Sequence, residues 1–171
     1  LTATGTRAQL GDGQDILELG SGWGSLTLWA AERYPGSRIT AVSNSRTQRA
    51  FIEERCRERG LGNVRVLTAD MNGFAPDGTF DRVLMVDALH HVVHQGETVR
   101  ELFRVLKPGG RLVIEEPDSR TFAVKLIAIA EKIALMRSHF LSPPQIASLL
   151  PPAAQVRVEA EEHTAWVIAE K

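Results

Sequence analysis

Short apolar runs of strand length alternate with longer stretches of helical periodicity along most of the chain. Strands are predicted at residues 15–19, 38–42, 64–67, 81–86 and 111–115, and helices between them at 25–34, 46–59 and 97–106. Single strands that alternate with helices predict a parallel sheet, which is covered by helices on both faces and joined by right-handed crossovers.

The C-terminal part of the chain breaks this alternation. Helices are predicted at 123–137 and 145–150, and strands at 155–160 and 164–169 follow almost back to back. Only Glu161, Glu162 and His163 separate these two strands, so they must form an antiparallel hairpin, because a parallel return needs a much longer crossover. We therefore predict one α/β domain over residues 1–171. It is a Rossmann-like three-layer sandwich with a mostly parallel seven-stranded sheet and one antiparallel edge strand.

Composition and charge exclude several classes of protein. The net charge of −1 and the pI of about 6.6 give no overall attraction to nucleic acid. The single cysteine, Cys56, excludes an internal disulfide, and no Cys/His cluster has zinc-ligand spacing, so we expect a cytoplasmic protein without a metal. The most apolar stretch, 122–136, contains Lys125, Glu131 and Lys132 and is too short to cross a bilayer, so no stable membrane insertion is expected.

A glycine-rich loop, Glu-Leu-Gly-Ser-Gly-Trp-Gly over residues 18–24, lies between the first predicted strand and its helix. Gly20 can adopt the backbone conformation that turns the chain out of the strand. Gly22 lacks a Cβ atom, which allows a ligand to approach the main chain around Ser21, and Gly24 allows the helix to begin close to the sheet. The loop is expected at the carboxyl end of the strands, beside the switch point in strand order, where α/β proteins bind nucleotides.

Glu18 separates two classes of nucleotide ligand. A carboxylate at the end of a central strand is costly unless it finds a cation or hydrogen-bond donors. The ammonium group of S-adenosylmethionine supplies such a partner, whereas the pyrophosphate of a dinucleotide is repelled by an acid. The loop therefore favours S-adenosylmethionine. The alternative is a tight strand–helix turn with an incidental surface glutamate.

Three motifs together resemble the class I S-adenosylmethionine-dependent methyltransferases. The loop 18–24 resembles the first motif of that family, Phe-Asp-Arg-Val-Leu-Met-Val-Asp at 80–87 resembles its fourth strand, and Arg-Val-Leu-Lys-Pro-Gly-Gly-Arg-Leu at 104–112 resembles its turn into the fifth. The resemblance covers nearly the whole chain. It implies S-adenosyl-L-methionine as the cofactor, and the antiparallel hairpin with which the family's fold ends.

The end of the second strand departs from most of this family, which has an acidic residue where this chain has Ser43. Gly-Trp-Gly-Ser-Leu at 22–26 with Ser-Asn-Ser-Arg-Thr-Gln at 43–48 resembles the branch of cyclopropane fatty acid synthases and coclaurine-type N-methyltransferases. The resemblance implies that Ser43 and Gln48 bind the ribose as neutral partners, which bond more weakly than a carboxylate. The alternative is an NADP-dependent oxidoreductase in which Ser43, Asn44 and Arg46 hold the 2′-phosphate.

The family also implies a contact after the third strand, where Asp70 would accept from the adenine amino group and Met71 would lie against the ring. The alternative for Asp70 is a turn-capping role. The complete set of predicted cofactor-binding residues is Glu18, Gly20, Ser21, Gly22, Gly24, Ser43, Asn44, Gln48, Asp70, Met71 and Asp87.

The segment after the fourth strand, residues 87–94, is expected to border the methyl group and holds the candidate catalytic residues. His90 or His91 could deprotonate an acceptor, since histidine titrates near neutral pH; the alternative is that both only cap or line the next helix. Cyclopropane synthases have Phe-Glu-His here, and His90 occupies the glutamate's position, which argues against cyclopropanation. From Phe80 onward the chain resembles ubiquinone/menaquinone-type methyltransferases, so the two halves leave the acceptor open.

We therefore predict a methyltransferase that acts on an O, N or C nucleophile of a small molecule, with hydrophobic molecules among the expected acceptors. An apolar stripe at Phe122, Leu126, Ile129, Ile133 and Phe140 would wall such an acceptor, or would be core packing. About fourteen residues precede the first strand and the chain opens on Leu1, which leaves three arrangements. The site is open, a partner subunit of a homo-oligomer completes it, or a preceding segment does. The alternative to an enzyme is a non-catalytic pseudo-methyltransferase.

Overall fold

The computed structural model describes residues 1–121, 124 and 138–171. The strands are β1 (Asp15–Leu19), β2 (Arg38–Ser43), β3 (Val64–Thr68), β4 (Phe80–Val86), β5 (Leu106–Pro117), β6 (Gln155–Glu161) and β7 (Thr164–Glu170). The helices are α1 (Thr2–Arg7), α2 (Ser25–Arg33), α3 (Arg46–Arg59), α4 (Gln95–Arg104) and α5 (Pro143–Ser148), with a 3₁₀ turn at Leu89–His91. The helix predicted at 123–137, and all of the apolar stripe except Phe140, lie outside the described residues. None of the helices in the described part is long and apolar enough to cross a membrane.

The seven strands form one sheet in the order β3-β2-β1-β4-β5-β7-β6. Strands β1 to β5 pair in parallel, and β7 runs antiparallel to both β5 and β6. This confirms the mostly parallel sheet and the C-terminal hairpin. The reversed strand, however, lies one place in from the edge, with β6 outside it. The reason is burial, since residues 165–169 of β7 are buried and apolar, whereas β6 is largely exposed.

Several element boundaries differ from the prediction. Helix α4 ends at Arg104, and β5 already begins at Leu106, which pairs with Phe80. The Lys-Pro-Gly-Gly turn is thus part of a twelve-residue strand. Helix α5 begins at Pro143, because Ser142 and Gln145 form a capping box before it.

Helix α1 was not predicted at all, and tertiary contacts hold it. The Arg7 guanidinium lies 3.9 Å from the centre of the Trp166 ring and 2.8 Å from a Glu159 oxygen. Both partners are far from α1 in the sequence, so the residues of α1 themselves do not indicate a helix.

The order of the strands creates the crevice in which the site lies. The chain runs outward from β1 through β2 to β3, and then returns to place β4 on the other side of β1. The connections that leave the carboxyl ends of β1 and β4 therefore run in opposite directions, and this switch point is where open α/β sheets bind their ligands. Buried apolar side chains fill both faces of the sheet beneath this point, including Leu17 and Met85 on one face and Ile16 and Leu84 on the other.

Candidate functional site

A cavity of about 430 Å³ opens at the carboxyl ends of β1, β2 and β4. It is lined by Gly20, Gly22, Ser43, Asn44, Gln48, Met71, Asp87, Ala88 and His91. Its volume falls within the range of about 300–1,000 Å³ that is usual for small-molecule sites. Seven of these nine residues belong to the predicted cofactor-binding set, and His91 was a candidate catalytic residue.

The three glycines of the loop have different structural roles. A Cβ atom on Gly20, whose φ is +84°, would lie 2.5 Å from Cβ of Ala88, so Gly20 allows β1 and the loop after β4 to approach. A Cβ atom on Gly24 would lie 2.6 Å from Cγ1 of Ile52, so this glycine serves the contact of α2 with α3 and lies outside the cavity lining. Gly22, with a φ of +52°, has nothing within 4 Å of its ideal Cβ position. Gly22 is therefore the position where the main chain faces open space.

Hydrogen bonds hold this loop in place. The backbone N–H groups of Gly20 and Ser21 both donate to the carbonyl oxygen of Val42, each at 2.9 Å, and tie the loop to β2. Ser21 also directs its hydroxyl to that oxygen at 3.3 Å and is buried outside the cavity lining. The loop is thus pre-formed.

Glu18 lies beneath the loop. Its side chain is only 4% exposed, is absent from the cavity lining, and accepts a hydrogen bond from the Thr27 hydroxyl of α2. Burial raises the pKa of Glu18 to about 7, against the opposing effect of the Thr27 hydrogen bond. The predicted contact of Glu18 with a ligand ammonium stays a prediction. The carboxylate that does line the cavity is Asp87, whose side chain is 70% exposed.

The end of β2 brings Ser43 and Gln48 together. The Ser43 hydroxyl donates to Oε1 of Gln48 at 2.5 Å and accepts from the backbone N–H of Ser45 at 3.1 Å. Ser45 caps α3 by accepting from the backbone N–H of Gln48, which places Gln48 in the first turn. Arg46, which the NADP alternative requires, is exposed and outside the lining.

Asp70 and Met71, which follow β3, have different environments. Met71 is buried and lines the cavity. Asp70 is exposed, and its Oδ1 accepts from the backbone and side-chain amides of Asn72 at 2.9 and 3.0 Å, which lowers the pKa of the Asp70 carboxyl. This is the turn-capping arrangement that the sequence left as the alternative, and the adenine contact of Asp70 stays a prediction.

The loop after β4 is held by Glu116, a residue that the sequence reasoning missed. Glu116 lies at the end of β5, is 4% exposed, and accepts from the backbone N–H groups of Ala88 and Leu89 at 2.9 and 2.7 Å. Its other oxygen lies 2.6 Å from Nδ1 of His90. The sequence Glu-Glu-Pro at 115–117 could have indicated this residue, because it places a second carboxylate at the end of β5, beside β4.

The two candidate histidines occupy different environments. His91 is exposed and lines the cavity. His90 is 4% exposed and absent from the lining, and its ring lies 4.5 Å from that of Phe140 and 4.0 Å from that of His91, measured between centroids. Among the described residues, Asp87, His90 and Glu116 offer potential metal ligand atoms within 4.8 Å of one another, but hydrogen bonds already engage both oxygens of Glu116.

A second cavity, of about 440 Å³, adjoins the first. It is lined by Val86, Asp87, Glu115, Glu116, Pro117, Val124, His163 and Thr164. Glu115 is held there by the Thr4 hydroxyl and by the indole N–H of Trp166, the latter at 2.9 Å. Asp87 lines both cavities. Its φ of +50° is a left-handed conformation that aspartate adopts only occasionally.

A doubly wound sheet with a glycine-loop cavity at its switch point defines a nucleotide-type α/β protein, and similarity to known proteins specifies which kind. The methyltransferase domain family matches residues 16–110. The chain is 42% identical over 117 residues to (S)-coclaurine N-methyltransferase of Thalictrum flavum subsp. glaucum, covering 68% of this chain and 32% of that protein. It is 37% identical over 102 residues to demethylmenaquinone methyltransferase of Thermus thermophilus, covering 59% of this chain and 46% of that one.

A solved structure agrees with these relatives. Coclaurine N-methyltransferase bound to N-methylheliamine and S-adenosylhomocysteine matches with a TM-score of 0.67 and 37% identity, over 71% of this chain and 36% of that chain. The chain therefore belongs to the class I S-adenosylmethionine-dependent methyltransferase family. Both branches that the sequence resembled appear among its relatives. The chain spans about a third of the length of the coclaurine N-methyltransferase that it matches.

Proposed function

We propose that this chain binds S-adenosylmethionine in the 430 Å³ cavity and methylates a small-molecule amine held in the adjoining 440 Å³ cavity. The observation that carries the proposal is that Asp87 lines both cavities. Methyl transfer requires donor and acceptor to meet in line, and alignment alone supplies several kcal/mol of rate enhancement. In the proposal the two cavities connect beside Asp87, so that the acceptor atom can approach the methyl group in line.

The lining residues suit this cofactor. Gly22 leaves room for a ligand against the main chain, Met71 offers an apolar surface for an adenine ring, and Ser43 with Gln48 offers neutral polar groups for ribose hydroxyls. Asp87 is the carboxylate available to the ammonium group of the methionine part. Bound S-adenosylmethionine supplies an electrophilic methyl group on a good leaving group, so the protein needs to add only alignment, exclusion of water and proton removal.

A nitrogen acceptor is favoured by charge. Asp87, Glu115 and Glu116 are among the residues that line the second cavity, and no Lys or Arg is among them in the described part of the chain. Such a surface attracts a protonated amine and repels an anion. The amine must then lose a proton before its lone pair can attack, and His91, which lines the cofactor cavity, is the residue proposed to accept that proton. The relatives named N-methyltransferases support the same acceptor class.

We also propose a cytosolic location. The single cysteine, Cys56, is buried, and burial raises the pKa of its thiol above the ordinary value. A single, buried thiol forms no internal disulfide, as is usual for proteins of a reducing compartment.

Calorimetry and a turnover assay test the proposed function. S-adenosylhomocysteine should bind with a measurable heat, whereas NADPH should give none. Formation of S-adenosylhomocysteine should be observed with amines from a panel of amines, phenols and activated carbon acids of similar size. Binding of NADPH without S-adenosylhomocysteine would favour the oxidoreductase. Cofactor binding without turnover of any acceptor would favour a non-catalytic protein.

Asp87→Asn should weaken the use of an amine acceptor. Loss of one charged hydrogen-bond partner costs about 1.5–3 kcal/mol, which corresponds to roughly tenfold or more in kcat/KM. The measurement is the initial rate over a range of amine concentrations, together with calorimetry of the cofactor. Asp77→Asn removes the same charge at an exposed site outside both cavities and should leave kcat/KM unchanged. Equal rates for wild type and Asp87→Asn would contradict the assignment.

A further inference from the structure

We propose that Glu116 is a positioning residue that determines which nitrogen of His90 is protonated and thereby orients His91 at the cofactor cavity. The inference rests on the proposed function for its catalytic consequence, although the hydrogen bonding can be measured without turnover. It concerns a carboxylate that belongs to β5 but acts on the loop after β4, across two neighbouring strands.

The first step is the hydrogen bonding of Glu116. Its Oε1 accepts two backbone N–H groups, from Ala88 and Leu89, and its Oε2 lies 2.6 Å from Nδ1 of His90. An ionised carboxylate can only accept hydrogen bonds. With Glu116 ionised, Nδ1 of His90 carries the hydrogen of this contact, and in the proposal the adjacent strand holds the ring in that tautomer.

The second step is that the loop cannot easily rearrange around His90. The ring of His90 stacks on Phe140 with an angle of 13° between the planes. The backbone carbonyl oxygen of His90 accepts from the backbone N–H of His139 at 2.7 Å. The side-chain amide of Gln95 donates both to the carbonyl of Leu89 at 3.0 Å and to that of His139 at 2.7 Å. These contacts hold the loop against residues 138–140. We therefore expect a change in the hydrogen bonding of His90 to alter the position of the residues packed against it.

The third step leads to the cavity. The rings of His90 and His91 lie 4.0 Å apart between centroids with an angle of 51° between their planes. His91 lines the cofactor cavity, whereas His90 and Glu116 are buried behind it. Glu116 therefore acts on the proposed proton acceptor through His90. This is the arrangement in which a buried carboxylate fixes the tautomer of one histidine and the ring contact orients the next.

Glu116→Gln tests the proposal because the geometry predicts that Nδ1 of His90 changes from protonated to unprotonated in this variant. The two backbone N–H groups still require an acceptor, so the amide oxygen stays with Ala88 and Leu89, and the amide NH₂ group must face Nδ1 of His90. A donor at that place demands an unprotonated Nδ1. The ¹⁵N NMR signal of Nδ1, assigned by its loss in His90→Gln, should move from the protonated to the unprotonated range. The kcat should fall about tenfold or more, with little change in the affinity for S-adenosylhomocysteine.

Glu115→Gln is the matched control for the NMR measurement. It removes the same charge one residue earlier, from a side chain that is held by Thr4 and Trp166 and not by His90. The His90 signal should be unchanged in this variant. A protonated Nδ1 in Glu116→Gln would overturn the proposal, as would an unaltered kcat in that variant. A reversed tautomer in a protein that binds no S-adenosylhomocysteine even as wild type would instead refute the proposed function, leaving the hydrogen bonding by Glu116 established.

Discussion

Replacing Gly22 by valine should abolish binding of S-adenosylhomocysteine while leaving the protein folded. The ideal Cβ position of Gly22 meets no protein atom within 4 Å, so the new side chain fits the protein but occupies the cavity that the ligand needs. The φ of +52° adds backbone strain of about 1–2 kcal/mol. We expect affinity to fall by a hundredfold or more, measured by calorimetry, with the thermal transition lowered by only a few degrees.

Gly13→Val provides the matched control. Gly13 also has a positive φ, +78°, and open space at its Cβ position, but it lies outside both cavities. Its substitution should cause similar strain and leave affinity intact. Unchanged affinity in Gly22→Val would mean that the loop does not hold the cofactor. Equal losses in both variants would point to a general effect of strain on the fold.

Glu18→Gln should change how stability depends on pH. Burial raises the pKa of Glu18 from 4.5 to about 7, so between these values the folded protein holds a proton that the unfolded chain releases. The contribution of Glu18 to the free energy of unfolding is therefore fully present below pH 4.5 and falls as pH rises to 7. At 1.36 kcal/mol per pKa unit, the loss amounts to about 3 kcal/mol. A glutamine has no such dependence.

The measurement is urea unfolding of both proteins at several pH values from 4.5 to 8. The stability of Glu18→Gln relative to wild type should increase by about 3 kcal/mol across that range, because the other carboxyl groups contribute equally to both proteins. Glu54→Gln, which changes an exposed glutamate, should give a constant difference. A constant difference for Glu18→Gln as well would show that Glu18 ionises normally in the folded protein.

The sequence alone determined the features that depend on neighbouring residues. Helix α3 begins and ends where predicted, because Ser45 caps its start and Gly60, with a φ of +68°, ends it. The glycine loop was located by a motif in which each residue has a local conformational task. The hairpin was predicted because a three-residue connection allows no other pairing. Seven residues of the predicted cofactor set line one cavity for the same reason, since parallel strands end at one edge of the sheet.

Tertiary structure decided what depends on residues far apart in the chain. The sequence contains no signal that Glu116 would bond to the loop after β4, because the order of β4 and β5 in the sheet brings them together. Nor does it show that Glu18 turns toward Thr27 beneath the loop while Asp87 lines both cavities. Periodicity specifies which residues form a strand, but burial against distant elements specifies the neighbours of that strand. In this protein those neighbours determine which carboxylates are buried and which face a ligand.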